Sequence, residues 1–140
     1  MEIIEQCPET DVIFACVGGG GLISGIGSAV KQTDSQKCQL IGCMPQNSPE
    51  MCLSVKNDGY TTVEPLETLS DGSAGPFEPD SITFGICKEV IDEFYLVSEE
   101  EIQDGIRLMF QYHERIIEGA AAVALMGFVK NAELLSLIHI

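Results

Sequence analysis

Apolar residues fall along this chain in two rhythms, and the switches between them set out the elements. Asp11-Val12-Ile13-Phe14-Ala15-Cys16-Val17 is a continuous apolar run rich in strand formers, the pattern of a strand buried on both faces. Leu22, Ile23, Ile26, Ala29 and Val30 then recur at helical spacing, and Ser24, Gly25, Gly27 and Ser28 keep that helix slim enough to lie close to a sheet. Lys37 to Met44 reads as a second strand, with Pro45 helping to end it. Asn47-Ser48-Pro49 predicts a helix running towards Asn57, with proline in its first turn. Gly59, Pro65, Gly72, Gly75, Pro76 and Pro79 mark residues 58–80 as loop. Asp80 or Ser81 can cap a helix with Ile82, Ile86, Val90 and Ile91 on its inner side, and Phe94 to Val97 reads as a short strand. Ser98 and Glu101 form an S-x-x-E capping box for a helix whose Ile102, Ile106, Met109 and Phe110 share a face. A small-residue helix from Glu118 to about Lys130 follows, and Met1 to Gln6 reads as the end of another, closed near Pro8.

Strand, helix and strand at the start span roughly the thirty residues of a βαβ unit, and the whole order is β-α-β-α-loop-α-β-α-α. This predicts an α/β fold, a mainly parallel sheet with flanking helices. Three strands are few for a parallel sheet that needs its faces and edges covered, so both ends of the chain are expected to be cut. The final residues, Leu135-Ser136-Leu137-Ile138-His139-Ile140, match the translation of a common transposon sequencing adapter. The organised part is therefore expected over residues 1–134, with 135–140 an adapter-derived tail.

Charge narrows the partners. Twenty-two acids against seven bases give a formal charge of −15, which leaves no basic face for nucleic acid or for an anionic membrane surface. The longest apolar stretch, Gly119 to Val129, is shorter than the ~18 residues that suggest a membrane span, and no signal-peptide pattern opens the chain. Cys7, Cys16, Cys38, Cys43, Cys52 and Cys87 include no C-x-x-C pair, and several sit in apolar runs. They read as small buried hydrophobes in a reducing cytoplasm.

The most informative segment is Val17-Gly18-Gly19-Gly20-Gly21-Leu22. A glycine run between a strand and a helix bares backbone N–H groups at the positive end of a helix dipole, a site for a phosphate that needs no basic side chain. A β-branched residue at Gly20 is expected to obstruct it. A tight strand-to-helix turn usually needs one or two glycines, not four. Nucleotide patterns fail: G-x-G-x-x-G would need a third glycine where Ile23 or Ser24 stands, and Gly25-Ile26-Gly27 replaces the G-K-[ST] of a Walker loop.

Val17-Gly-Gly-Gly-Gly-Leu-Ile-Ser-Gly25 resembles the tetraglycine loop of the fold-type II pyridoxal-phosphate (PLP) enzymes, the threonine and serine dehydratases, serine racemases and their ammonia-lyase relatives. Ile41-Gly42-Cys43-Met44-Pro45-Gln46-Asn47-Ser48 is similar to that family's I-G-V-E-P-x-N-S, and Thr68-Leu69-Ser70-Asp71-Gly72 to T-[IL]-A-D-G. Val97 to Ile102 and Ile117-Glu118-Gly119-Ala120-Ala121 resemble V-S-E-E-E-I and E-G-A-A, all in the family's order. Gly75 to Thr83 looks more like the hydroxyectoine-utilisation dehydratase subgroup. The resemblance implies part of the large domain of a tryptophan synthase beta-like enzyme. Gly18, Gly19, Gly20, Gly21 and the Leu22 N–H would hold the PLP phosphate, Asp71-Gly72 would lie near the cofactor, and Glu118 would approach it from a helix start. An Asp-Gly turn and a first-turn acid are the plainer readings of Asp71 and Glu118.

Three departures qualify the resemblance. Family members that bind a divalent cation use the glutamate of G-x-E-P, and Met44 stands there, so no metal site is expected; Ser48 and Glu50 alone do not make one. His113 has no second histidine or cysteine at ligand spacing. Lys31, Lys37, Lys56, Lys88 and Lys130 all lack the S-x-K-x-R setting of the lysine that holds the cofactor's aldehyde, which in the family lies in the N-terminal half. The expectation is a C-terminal piece of a cytoplasmic lyase, inactive alone, whose full-length form deaminates a small hydroxy-amino acid as a homodimer. A β-replacement enzyme of the cysteine synthase type and a non-catalytic phosphate-ligand binding domain remain as alternatives.

Overall fold

In the computed structural model of the chain the described residues are 2–32, 38–64 and 66–136, with 133–136 described by backbone alone. The elements are α1 (Glu2–Gln6), β1 (Val12–Cys16), α2 (Gly21–Lys31), β2 (Gln39–Pro45), α3 (Glu50–Lys56), a 3-10 turn (Asp71–Ser73), α4 (Ile82–Val90), β3 (Glu93–Val97), α5 (Glu99–His113) and α6 (Gly119–Ser136). Lys37 and Pro65 lie outside the described residues, as do 137–140 of the expected tail.

The three strands form a parallel sheet in the order β1-β2-β3, with Cys16 opposite Cys43 and Cys43 opposite Tyr95. The α/β architecture read from the sequence therefore holds. Burial on both faces belongs to the central strand, not to the first. Every residue of β2 after Gln39 is buried, whereas in β1 only Ala15 is, because β1 pairs with a neighbour on one side alone. Alternation along β2 splits the core. Leu40 and Met44 join Ile23, Met51, Cys87 and Val90 under α2, α3 and α4. Ile41 and Cys43 join Ile102, Ala122, Val123 and Met126 under α5 and α6.

Small residues set how closely the helices approach. A Cβ on Gly27 would overlap the Val90 side chain, so α2 and α4 touch there through a missing side chain. Gly25, by contrast, is exposed and needs no glycine for packing. Ser81 caps α4 as expected, but Ile82 points to solvent at 79% exposure and Cys87 takes the inner position with Val90. The helical stripe of α4 begins one turn later than its isoleucines suggest. In α5 the capping box forms in full and Ile102 is fully buried, whereas Phe110 at the far end is exposed. Cys38, Cys43, Cys52 and Cys87 are buried free thiols, Cys16 is half-buried, and Cys7 is exposed beyond α1, contrary to its expected burial.

Candidate functional site

β1 ends at Cys16, and Val17 extends its pairing by donating its N–H to the Cys43 carbonyl at 2.8 Å. The chain then turns through Gly18, Gly19 and Gly20 into α2, at the carboxyl end of the parallel strands where ligands of such sheets bind. The turn is made by Gly20, the N-cap residue, at φ +84° in the left-handed region that glycine alone enters without penalty. No side chain caps α2. Its first-turn N–H groups are left for solvent or a ligand.

Hydrogen bonds from three partners fix two peptide planes of this turn. Thr83 Oγ1 donates to the Gly19 carbonyl at 2.6 Å, and the Gly20 carbonyl accepts from Ser24 N–H at 2.9 Å and, more loosely, from Cys87 Sγ. In a trans peptide the C=O of one residue and the N–H of the next point in opposite directions. With the Gly19 carbonyl held by α4, the Gly20 N–H faces away from α4; with the Gly20 carbonyl held by the body of α2, the Gly21 N–H faces out from the helix end.

The floor and opposite wall come from two other loops. The 3-10 turn brings Gly72 and Ser73 against the glycines, close enough that a Cβ on Gly18 would stand 3.0 Å from the Ser73 carbonyl oxygen. α6 starts hard against the same segment, where a Cβ on Gly119 would overlap the Leu69 carbonyl. The resulting cleft of about 260 Å³ is lined by Cys16, Gly18, Gly19, Gly20, Gly21, Leu22, Gly72, Ser73 and Ala120. Burial pushes the Cys16 thiol up, offset in part by the hydroxyls of Ser73 and Ser70, so it stands in the cleft as a neutral group. Asp71 instead lines a neighbouring cleft of about 630 Å³ with Leu66, Glu67, Thr68 and Glu99, and one of its oxygens accepts the Gly72 N–H at 2.8 Å. Glu118 is exposed at the rim, its carboxylate 3.9 Å from where a Cβ on Gly72 would be.

The glycines separate into two kinds. Gly18 and Gly20 are required by the protein itself: the first touches Ser73, and a Cβ on the second would stand 2.7 Å from Cys87 Sγ and 3.2 Å from Thr83 Cβ. A side chain at Gly20 would therefore strike α4 rather than enter the cleft, which corrects the expected effect of a β-branched residue there. Cβ atoms on Gly19 and Gly21 would meet nothing within 4 Å. Packing gives no reason for glycine at these two positions, as at exposed Gly25, but unlike Gly25 both of them line the cleft. Bare N–H groups, a helix dipole and space at both positions fit a phosphate group.

Sequence reading missed Thr83, Cys16, Ser73 and Ala120 as neighbours of the glycines. Only tertiary contact joins Thr83, Ser73 and Ala120 to the loop, although Ser81 reads in sequence as the cap of α4; Cys16 stands two residues before Gly18 and lines the cleft from the end of β1. Among the described residues no lysine lines the glycine cleft. Lys31 pairs with Asp92, Lys88 with Asp58, and Lys130 with Glu101.

Residues 1–137 match the model of the family described as "Pyridoxal-phosphate dependent enzyme". The chain is 35% identical over 133 residues to the L-threonine ammonia-lyase of Thermotoga maritima, covering 95% of this chain and 33% of that protein. It is 34% identical over 124 residues to the catabolic L-threonine dehydratase of Escherichia coli K12, covering 89% of this chain and 37% of that one. The fold superposes on the processed form of threonine deaminase isoform 2 from Solanum lycopersicum with a TM-score of 0.88 and 29% identity, over 96% of this chain and 39% of the other. The chain thus spans about a third of the length of the curated relatives it matches. With a match along nearly its whole length and a glycine cleft that suits the cofactor's phosphate, the chain belongs to the pyridoxal-phosphate-dependent enzyme family.

Proposed function

We propose that the chain supplies the phosphate cradle of a PLP-dependent ammonia-lyase that converts a small hydroxy-amino acid of the threonine or serine type to a 2-oxo acid and ammonia. The observation that carries this reading is the open space at Gly19 and Gly21, beside N–H groups whose direction is set by partners on the preceding carbonyls. The names of the relatives, an L-threonine ammonia-lyase and an L-threonine dehydratase among them, support the reaction class.

In this reading Gly18, Gly19, Gly20, Gly21 and the Leu22 N–H hold the phosphate, Gly72 and Ser73 close the cleft beneath it, and Asp71 and Glu118 border the approach. When bound, the cofactor supplies the electron withdrawal that loosens the substrate's α-proton and its β-hydroxyl. The lysine that holds the cofactor's aldehyde is expected outside these 140 residues, so the chain alone is inactive; family likeness suggests that the complete protein is a homodimer. No cation is required at Met44, which is 1% exposed and accepts the Cys52 N–H on its sulfur at 3.3 Å. Among the described residues no group of three His, Cys, Asp or Glu side chains could hold a metal, and no helix is long and apolar enough to cross a membrane.

The test is to give the complete enzyme a panel of hydroxy-amino acids, with and without chelator, and to measure ammonia and 2-oxo acid. Both products, unaffected by chelator, are expected. Sulfide-dependent β-replacement with no deamination would transfer the chain to the cysteine synthase type, and PLP binding without any turnover would leave a binding domain.

A further inference from the structure

We infer that Thr83 is a positioning residue for the phosphate cradle, setting the direction of the Gly20 N–H through the carbonyl of Gly19. The inference rests on the reading of the glycine cleft as a phosphate site and adds the device that aims it.

Glycine loops have more backbone freedom than any other sequence, so this one cannot hold its own peptide planes. Gly19 has no side chain and, as shown above, no packing contact at the Cβ position. What restrains the Gly19–Gly20 peptide is the hydrogen bond from Thr83 at 2.6 Å. Thr83 reaches it from the first turn of α4, sixty-four residues along the chain.

The direction of each proton can be worked out. Thr83 has one hydroxyl proton, and the Gly19 carbonyl, which can only accept, takes it. The 2.6 Å contact between Ser81 Oγ and Thr83 Oγ1 must then run from the Ser81 hydroxyl to Thr83. Ser81 Oγ in turn accepts the Thr83 N–H at 3.3 Å, which pins both hydroxyls to the start of α4. The result is a chain of donors, Ser81 to Thr83 to the Gly19 carbonyl, ending at the Gly20 N–H on the far side of the same peptide plane. Bonds in such a chain polarise one another, so a partner on the carbonyl both aims the N–H and strengthens it as a donor. A hydroxyl that only capped α4 would need no contact with Gly19.

The test uses the complete enzyme, titrated with PLP and separately with pyridoxal, which lacks the phosphate. Thr83→Val keeps the shape of the side chain and removes its proton. It is expected to weaken PLP binding about tenfold, the effect of losing one hydrogen bond that serves an anion, and to leave pyridoxal binding within about twofold. Thr83→Ser should restore PLP affinity to within about threefold of the parent. The phosphorus resonance of bound PLP should move in Thr83→Val and return in Thr83→Ser. Ser81→Ala removes the proton that feeds Thr83 but leaves the bond to Gly19, and should cost about threefold for PLP alone; it decides the matter if Thr83→Val does not fold. Equal losses for PLP and pyridoxal, or none for either, would overturn the inference. Gly21→Ala separates the two levels of the argument. If it weakens PLP while Thr83→Val does not, positioning by Thr83 is wrong and the phosphate site stands. If Gly21→Ala and Gly19→Ala both leave PLP affinity unchanged, the phosphate reading itself is wrong and the inference goes with it.

Discussion

Gly20 and Gly21 are adjacent, yet replacing each with alanine should produce opposite phenotypes. At Gly20 the backbone is left-handed, φ +84°, which costs an ordinary residue roughly 1–2 kcal/mol. The added methyl would also stand 2.7 Å from Cys87 Sγ and 3.1 Å from Met51 Cε, and both residues are fully buried. Forcing a carbon into such a place costs roughly 1–3 kcal/mol more. Gly20→Ala should therefore lose about 2–5 kcal/mol of folding stability, a large share of the ~5–15 kcal/mol that holds a typical domain together. At Gly21 neither cost applies. The residue opens α2, its Cβ would meet nothing within 4 Å, and alanine in place of a helical glycine gains up to ~1 kcal/mol.

The same methyl at Gly21 tilts towards the N-terminal end of the helix, as every helical Cβ does, and so towards the cleft. There it stands among the N–H groups that a phosphate would have to reach, at the helix end that lines the cleft. PLP affinity should fall at least ~10-fold, or about 1.4 kcal/mol, in a protein no less stable than the parent. Urea denaturation of the apoprotein and PLP titration of the complete enzyme measure the two effects separately. Parental PLP affinity in both Gly21→Ala and Gly19→Ala would refute the claim that a ligand, and not the fold, requires glycine at these positions.

Two further outcomes follow from the ionisable groups. Burial pushes the Glu101 carboxyl up, but the Ser98 backbone N–H and Lys130 more than reverse this and hold it below its ordinary value of 4.5. A carboxyl depressed in the folded state stabilises fully above its unfolded pKa and loses that contribution as pH falls through the folded one. Urea midpoints should thus drop more steeply below pH ~4.5 in the parent than in Glu101→Gln, which keeps a capping-box acceptor but cannot ionise; parallel curves would count against the assignment. Burial pushes the Cys43 thiol up to about 12, and it is wholly enclosed, whereas Cys7 is exposed. A thiol reagent at pH ~8 should label Cys7 in the native protein and Cys43 only after unfolding, as peptide mass mapping would show; native labelling of Cys43 at the rate of Cys7 would contradict the packing of α6 on β2.

Local signals carried most of the fold. Strand formers before the glycine run and a capping box at Ser98 and Glu101 are short-range features, and β1 and α5 appear where they place them; Pro49, by contrast, is the N-cap of α3 and not part of its first turn, and α6 runs on to Ser136, past the Lys130 end read for it. What they could not settle was which strand is central. The apolar run of β1 reads like a strand covered on both faces, but coverage depends on neighbours, and only pairing shows that β2 has two and β1 one. The same limit applies at Ile82, whose apolar character fits the stripe although its position at the first turn of α4 lies beyond the edge of the core. Cys87 reads as a buried small hydrophobe, yet nothing in the sequence shows that it sits behind Gly20.

The glycine motif shows why a site is harder to read than a fold. Four identical letters stand in a row, and sequence can assign them only one role. The structure divides them by what surrounds each: Ser73 excludes a side chain at Gly18, α4 excludes one at Gly20, and open space remains at Gly19 and Gly21. Net charge misleads in a similar way. A chain of charge −15 would be expected to repel a phosphate, but repulsion between exposed charges is screened beyond roughly 10 Å, while an anion in this cleft would meet N–H groups at contact distance. Among the described residues no basic side chain lines the cleft, so beyond the dipole of α2 selectivity has to come from the direction in which those N–H groups point. Direction is a property of peptide planes. Here those planes are set by Thr83, Ser24 and Cys87, which lie on the far side of the loop from the ligand and would be passed over in any search confined to the lining of the cleft.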